Sequence, residues 1–295
     1  MERVIIISDL DDFEAFRAAH SNDWQEFLWH IGIDYKPFDG TLIYGTANRG
    51  YKPGGFTLGS FAKADFDAEY CLAYETGWKQ LWMSDRFSTT LSGYYYDYKD
   101  LQMSSMVGLV NMIGNAVSTE IYGVEFELTG YIIENFLASL SYSYLHTEFK
   151  EYPGQFDQFQ PSKGVWDPID KRYEQDLSGN PLPDSPENKI SINLTYTLPT
   201  DVGDFAVHGL YFWQDKRYTS KFATPERGGE AYDRVDGEVM WNSPGYKWRV
   251  SLWVKNAFDV TTLSSQTVGG ANEGFYRIAT YIPPLTYGVD VSFKW

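Results

Sequence analysis

Toward the end of the chain Leu285, Tyr287, Val289, Val291, Phe293 and Trp295 alternate with Thr286, Gly288, Asp290, Ser292 and Lys294. A strand shows each face every second residue, so this stretch predicts one strictly two-faced strand. Residues 189–198 repeat the pattern, with Ile190, Ile192, Leu194, Tyr196 and Leu198 set against Lys189, Ser191, Asn193, Thr195 and Thr197. In 246–255, Tyr246, Trp248, Val250, Leu252 and Val254 face away from Lys247, Arg249, Ser251 and Lys255, and Trp253 is the exception on the polar side. Phe27, Trp29, Ile31, Ile33 and Tyr35 alternate with Glu26, His30 and Asp34, and Tyr122, Val124, Phe126 and Leu128 oppose Glu125 and Glu127.

Turn chemistry separates these runs in two length classes. Pro37-Phe38-Asp39-Gly40, Glu134-Asn135, Pro199 to Asp204 and Asn242-Ser243-Pro244-Gly245 are compact turns. Residues 52–66, 103–114, 150–187, 215–230 and 257–283 read as long loops. The pattern predicts about eleven strands, at 24–36, 41–51, 68–80, 87–102, 115–131, 136–149, 188–198, 204–214, 231–242, 246–256 and 284–295. No run of 3.6-residue period intervenes, although residues 9–20 could form a short helix. The fold class is all-β and antiparallel.

Two architectures share that pattern. A soluble barrel or sandwich turns its apolar face inward, whereas an outer-membrane barrel turns it to lipid and lines a lumen with the polar face. Composition now bears on the choice. Trp, Tyr and Phe number 10, 23 and 19, or 18% of the 295 residues, while mean hydropathy is only −0.38. No stretch approaches the ~20 consecutive apolar residues of a membrane helix, but strands that alternate average out as hydrophilic. Three features favour the membrane. The strands exceed the usual length of about 5–6 residues, aromatics cluster near strand ends as in Tyr94-Tyr95-Tyr96 and Tyr211-Phe212-Trp213, and short turns alternate with long loops.

The formal net charge of −16 argues against nucleic acid, whose phosphates call for clustered Lys and Arg. One cysteine, Cys71, excludes a disulfide framework within the chain. His20, His30, His146 and His208 are dispersed without metal-ligand spacing, so no metal site is expected. The opening MERVIIISDL holds too short an apolar run for a secretory signal and passes at once into Asp9, Asp11, Asp12 and Glu14. Either the protein is cytoplasmic or Met1 is not the natural start.

Several motifs decide between these. Residues 44–56 (YGTANRGYKPGGF), 74–79 (YETGWK), 94–102 (YYYDYKDLQ), 115–128 (NAVSTEIYGVEFEL), 254–259 (VKNAFD) and 283–295 (PPLTYGVDVSFKW) occur in this order. Together they resemble the C-terminal half of the β-barrel of TonB-dependent outer-membrane receptors. The resemblance covers residues 24–295, with 1–23 as a leading loop or partial strand. Leu285 stands where the family usually has Arg, Ala257 where it has Leu and Trp295 where it has Phe. All three departures are compatible with strands.

The resemblance implies an antiparallel transmembrane barrel of roughly 22 strands, of which this chain supplies about eleven. It implies a fragment lacking signal peptide, TonB box and plug, whose open edges would keep it from folding alone, since unpaired backbone groups in lipid are costly. It also implies a bacterial outer-membrane location and energised import of a scarce ligand, most often a ferric siderophore. The partners would be outer-membrane lipid, the TonB complex acting through the plug, and that small-molecule ligand. No enzyme activity, catalytic residue, cofactor or metal is expected, and no ligand-binding residue is assigned. A passive porin or sugar channel is the alternative. An outer-membrane hydrolase fits less well, because neither GxSxG nor SxxK occurs and His20-Ser21 precedes the first strand.

Three groups of residues invite a chemical reading. The 150–187 loop interleaves Glu151, Asp157, Asp167, Asp170, Glu174, Asp176, Asp184 and Glu187 with Tyr152, Phe156, Phe159, Trp166 and Tyr173. It could be a ligand-capturing lid, a Ca²⁺ site or a solvated acidic loop, and EF-hand spacing is absent. Arg49, Tyr51 and Lys52 could meet an anionic ligand or serve a turn. Glu125 and Glu127 read as hydrated lumen wall rather than an acid–base pair. GGANEG at 269–274 lacks the Lys-Ser/Thr and helix of a phosphate loop and reads as loop.

Overall fold

The computed structural model describes residues 22–57, 65–107, 110–157, 159–169, 171–268, 274 and 276–295. The helix considered for residues 9–20, and the His20-Ser21 pair, lie outside them. In chain order the strands are β1 (Trp29–Tyr35), β2 (Thr41–Lys52), the short β3 (Gly55–Phe56) and β4 (Asp65–Phe66), β5 (Glu69–Trp82), β6 (Phe87–Val107) and β7 (Val110–Ile133). Then follow β8 (Phe136–Glu151), β9 (Val165–Asp167), β10 (Arg172–Glu174), β11 (Asn188–Thr200), β12 (Gly203–Gln214), β13 (Arg217–Tyr218) and β14 (Gly228–Gly229). The last are β15 (Tyr232–Asn242), β16 (Trp248–Lys255), β17 (Leu263–Val268), β18 (Arg277–Tyr281) and β19 (Thr286–Phe293).

Eleven of these form one antiparallel sheet in the order β1-β2-β5-β6-β7-β8-β11-β12-β15-β16-β19, each beside its neighbour in sequence. They coincide with the eleven strands expected from alternation, to within a few residues at each end. The remaining eight make four small two-stranded sheets, all in the long connections at one end of the wall. Most of the expected loop at 103–114 is instead strand, residues 103–107 and 110–114 pairing from Met103↔Gly114 out to Val107↔Val110. Its sequence MSSMVGLVNMIG lacks polar–apolar alternation, so it showed no strand period although its described residues pair across the hairpin.

The short turns all lie at the opposite end. Gly40, Asn135, Gly203 and Gly245 have positive φ there, as tight reversals need. A further turn at Met83–Asp85 has three consecutive positive-φ residues and is pinned from the next hairpin, where Arg86 Nε donates to the Tyr131 carbonyl at 2.6 Å.

Register carries each face across the whole sheet. One face bears Ile31, Ile33, Ile43, Leu91, Val124, Leu194, Val207, Val239, Leu252, Val289 and Val291, all exposed. The other bears Asp34, Thr46, Glu75, Ser92, Glu125, Ser141, Asn193, His208, Glu238, Arg249 and Asp290. An apolar face left uncovered over a whole sheet is stable only against lipid. Aromatic pairs bound that face at both levels: Trp78–Trp82, Phe136–Tyr196 and Trp248–Phe293 toward the short turns, Tyr51–Tyr70 and Tyr122–Tyr144 toward the long connections. These are interfacial girdles. Among the described residues no helix is long and apolar enough to cross a membrane, and the crossing is made by strands.

Trp253, the aromatic out of place on the polar face, has a partner-specific role. It pairs directly with Gly288, and a Cβ on Gly288 would lie 2.5 Å from its indole. Tyr44 covers Gly77 and Tyr94 covers Gly123 in the same way across neighbouring strands. The glycines let flat rings lie on the wall.

Candidate functional site

The polar face of the wall concentrates chemistry where β2, β5, β6 and β7 meet. Tyr44 Oη donates to Glu75 Oε1 at 2.6 Å, and Tyr94 and Tyr96 stack at 5.1 Å with 23° between their planes. Glu75, Ser92, Tyr94, Tyr96, Tyr98 and Glu125 line a concavity of about 330 Å³. Pleat and register place them together: Glu75 pairs with Tyr94 and Ser92 with Glu125, so two carboxylates come to adjacent rungs. Glu125 and Glu127 both lie on this face, opposite Ser92 and Thr90 of β6.

Above the wall the long connections form a packed body of their own. Phe149 and Ala116 are fully buried, Tyr152 and Leu177 nearly so, and Leu101, Met103, Leu182 and Phe222 pack on them. Thus the β6–β7 hairpin, the 152–187 connection and the 215–231 connection share one core. Charge lies inside it. Arg227 Nη2 donates to Asp157 Oδ1 at 2.9 Å and Oδ2 at 2.8 Å, with the two side chains only 3% and 1% exposed. Lys221 Nζ donates to Tyr152 Oη and Gln155 Oε1, each at 2.8 Å, and lies 4.8 Å from the Tyr152 ring centre. Burial pulls the Lys221 ammonium down to about 8, opposed by the Asp157 carboxylate.

The acidic residues expected to make a lid, a Ca²⁺ site or a solvated loop are mostly committed to cations or to the backbone. Asp157 holds Arg227, Glu174 pairs with Arg172 at 2.7 Å, and Asp184 with Arg217 at 3.1 Å. Asp167 caps the Ile169 amide, and the Ser178 hydroxyl and amide hold the Asp176 carboxyl below its usual range. Asp170 lies outside the described residues. Arg49, Tyr51 and Lys52 are not brought together. Register puts Lys52 on the polar face but Arg49 and Tyr51 on the apolar one, where Arg49 pairs with Glu26 at 3.0 Å and lies over Tyr70.

Several motif residues are structural clasps. Gln102 Nε2 donates to the Pro53 and Asp67 carbonyls, and Asn115 Nδ2 to those of Asp67 and Asp100, which ties the β2–β5 connection to the β6–β7 hairpin. Asn256, 2% exposed, donates to the Val260 and Pro283 carbonyls and accepts from the Val260 amide. Asp259 accepts from the Leu285 amide. The VKNAFD segment therefore fixes the final connection at the start of the last strand.

Between wall and loop body lies a cleft of about 230 Å³, lined by Leu145, Thr147, Leu182, Glu187, Lys216 and Arg217 among others. Thr147 Oγ1 and Ser185 Oγ are 2.9 Å apart there. Sequence reading missed this cleft because its walls come from β8 and two separate connections and share no motif.

The sequence profile described as "TonB dependent receptor-like, beta-barrel" matches residues 8–257. The chain is similar in structure to the ferric yersiniabactin uptake receptor FyuA from Yersinia pestis, with a TM-score of 0.74 and 18% identity over 94% of this chain and 38% of that one. It is likewise similar to the siderophore receptor PiuA from Acinetobacter baumannii, with a TM-score of 0.72 and 18% identity over 96% and 38%. The pyoverdine outer membrane receptor FpvA from Pseudomonas aeruginosa superposes with a TM-score of 0.64 at 16% identity, over 95% and 37%. The chain thus spans well under half the length of these structures.

Proposed function

We propose, from the premise that this chain belongs to the TonB-dependent receptor family through its β-barrel, that it is the ligand-gathering wall of an energised importer in the bacterial outer membrane. The family is one of transporters rather than enzymes, located in that membrane. The eleven-stranded sheet fits part of a larger barrel, because among the described residues its outer strands β1 and β19 each pair on one side alone. Strands supplied by the rest of a receptor would close those edges, where each backbone group left unpaired in lipid costs several kcal/mol.

The observation that carries the reading is the continuous polar face beneath an ordered loop body. It offers a ligand a cleft at the outer end and an aromatic, carboxylate-bearing surface below it. In a receptor whose lumen is filled by a plug, Glu75 and Glu125 offer negative charge to whatever cation the plug presents. A ferric siderophore is the proposed cargo, in keeping with the siderophore receptors that share the fold.

Uptake of ⁵⁵Fe-siderophore by cells carrying or lacking the gene tests this. Gene-dependent uptake that stops when a protonophore collapses the inner-membrane gradient is the expected result. Gene-dependent uptake that survives the protonophore would establish a passive channel and overturn energised import.

A further inference from the structure

On the apolar face, just beyond the Tyr122–Tyr144 pair of the outer girdle, the strands turn polar and bring three metal-ligating side chains together. Glu120 pairs directly with Glu148 across β7 and β8, and Tyr122 with His146. Pleat therefore puts Glu120, His146 and Glu148 on one outward patch at headgroup level. One ligand atom from each lies within 4.8 Å of the others, and His146 Nε2 is 3.5 Å from Glu148 Oε2. We propose that Glu120, His146 and Glu148 form a binding site for a divalent transition-metal ion of the zinc class, facing the headgroup layer on the outside of the barrel.

Three arguments support it. One imidazole and two carboxylates suit zinc-like ions better than Mg²⁺ or Ca²⁺, which prefer oxygen alone. Three protein ligands leave a tetrahedral ion one open position, which water or a headgroup phosphate oxygen would fill. Neighbouring residues also orient the ligands: Tyr95 Oη donates to Glu120 Oε2 at 2.8 Å, and the Tyr122 ring stacks on His146 at 4.6 Å and 24°. Such supporting contacts tune metal affinity.

Two carboxylates directly opposite across strands repel unless a cation joins them. Lys150 fills that role, 3.3 Å from Glu148 but only 4.0 Å from Glu120, with its side chain 47% exposed. A loosely held, half-exposed ammonium is an exchangeable counter-ion. The metal and Lys150 compete, and this competition separates a metal site from a mere ion pair.

The protein extracted from outer membranes in detergent is titrated with Zn²⁺ alone by isothermal calorimetry in metal-free buffer. One ion per chain is expected. His146→Ala should weaken binding about tenfold or more, and Tyr95→Phe should act in the same direction through Glu120. Lys150→Gln should tighten binding, and His208→Ala, on the lumen face, should leave it unchanged. Saturable binding that persists in both His146→Ala and Glu120→Gln/Glu148→Gln would overturn the proposal. So would absence of binding in the wild type and in Lys150→Gln alike, or weaker binding in Lys150→Gln. Should His146→Ala lose its heat-modifiable gel mobility, the direction of the Lys150→Gln change decides the matter.

Discussion

The wall and the loop body use the same side chains under opposite rules. In the wall the bulky apolar residues are the exposed ones, Tyr287 at 79% and Val207 at 52%, while polar residues such as Thr41, Thr89 and Ser251 are buried. In the loop body Phe149 and Leu177 are buried, and charge is outside, ion-paired at Asp157–Arg227 or hydrogen-bonded within at Lys221. The wall is solvated by lipid and the loop body by water. What looks like an inverted protein is one chain meeting two solvents. The loop body is therefore packed around a core that it shares with the outer ends of β7 and β8, above the lipid-facing part of the wall.

The sharpest way to break that contrast is to unbalance the charge inside the loop body. Asp157→Ala leaves Arg227 buried without its carboxylate, a loss of about 3–5 kcal/mol. Hydrogen exchange should quicken through 152–180 and 216–229 while the wall strands keep their protection. Equal loss in both regions would mean that loop body and wall are one cooperative unit. A second contrast lies within the wall. Leu194→Arg places a charge in lipid and should cost about 2–4 kcal/mol, whereas Asn193→Arg, one residue away on the lumen face, should be tolerated. Urea unfolding from liposomes, read on the assembled receptor, compares them, and similar costs would contradict the assignment of faces.

A smaller effect is expected at Gly123. An added Cβ would meet the Tyr144 carbonyl at 2.4 Å and the Tyr94 hydroxyl at 2.5 Å, and backbone cannot swing away as a ring can. Gly123→Ala should cost about 1–3 kcal/mol and lower the temperature of the heat-modifiable gel shift without loosening the loops.

The least perturbing probe is pH. The Lys221 value of about 8 lies below the ordinary 10.5, so between these limits the opened loops bind more protons than the folded ones. Loop stability should be lowest, and flat, below about 8, and rise toward 10.5. A melt of the loop body followed by near-ultraviolet circular dichroism should move up by a few degrees over that window. Lys221→Met should abolish the rise.

The wall was legible in the sequence because a two-residue period needs only local information. The eleven strands of the main sheet carry that period, whereas the outer part of the β6–β7 hairpin and the eight short strands of the connections lack it and look like loop. The motifs were legible as marks of a family but not as clasps: nothing in VKNAFD says that Asn256 reaches the Pro283 carbonyl. The loop body was illegible for the same reason. Its acidic residues looked solvated until the fold brought Arg227 to Asp157, 70 residues away. His146 showed no full ligand set along the chain, because only Glu148 follows it on β8 and Glu120 is brought up from β7 by cross-strand register.

The buried Asp157–Arg227 pair also bears on inheritance. Losing either charge alone strands the other in a dry core, so the two positions are expected to change together among descendants, as a reversed pair or as two apolar residues of matched volume. A recombination joint falling between them would separate partners selected for each other. The 152–187 and 215–231 connections, with β11 and β12 between them, should therefore pass between lineages as a single cassette.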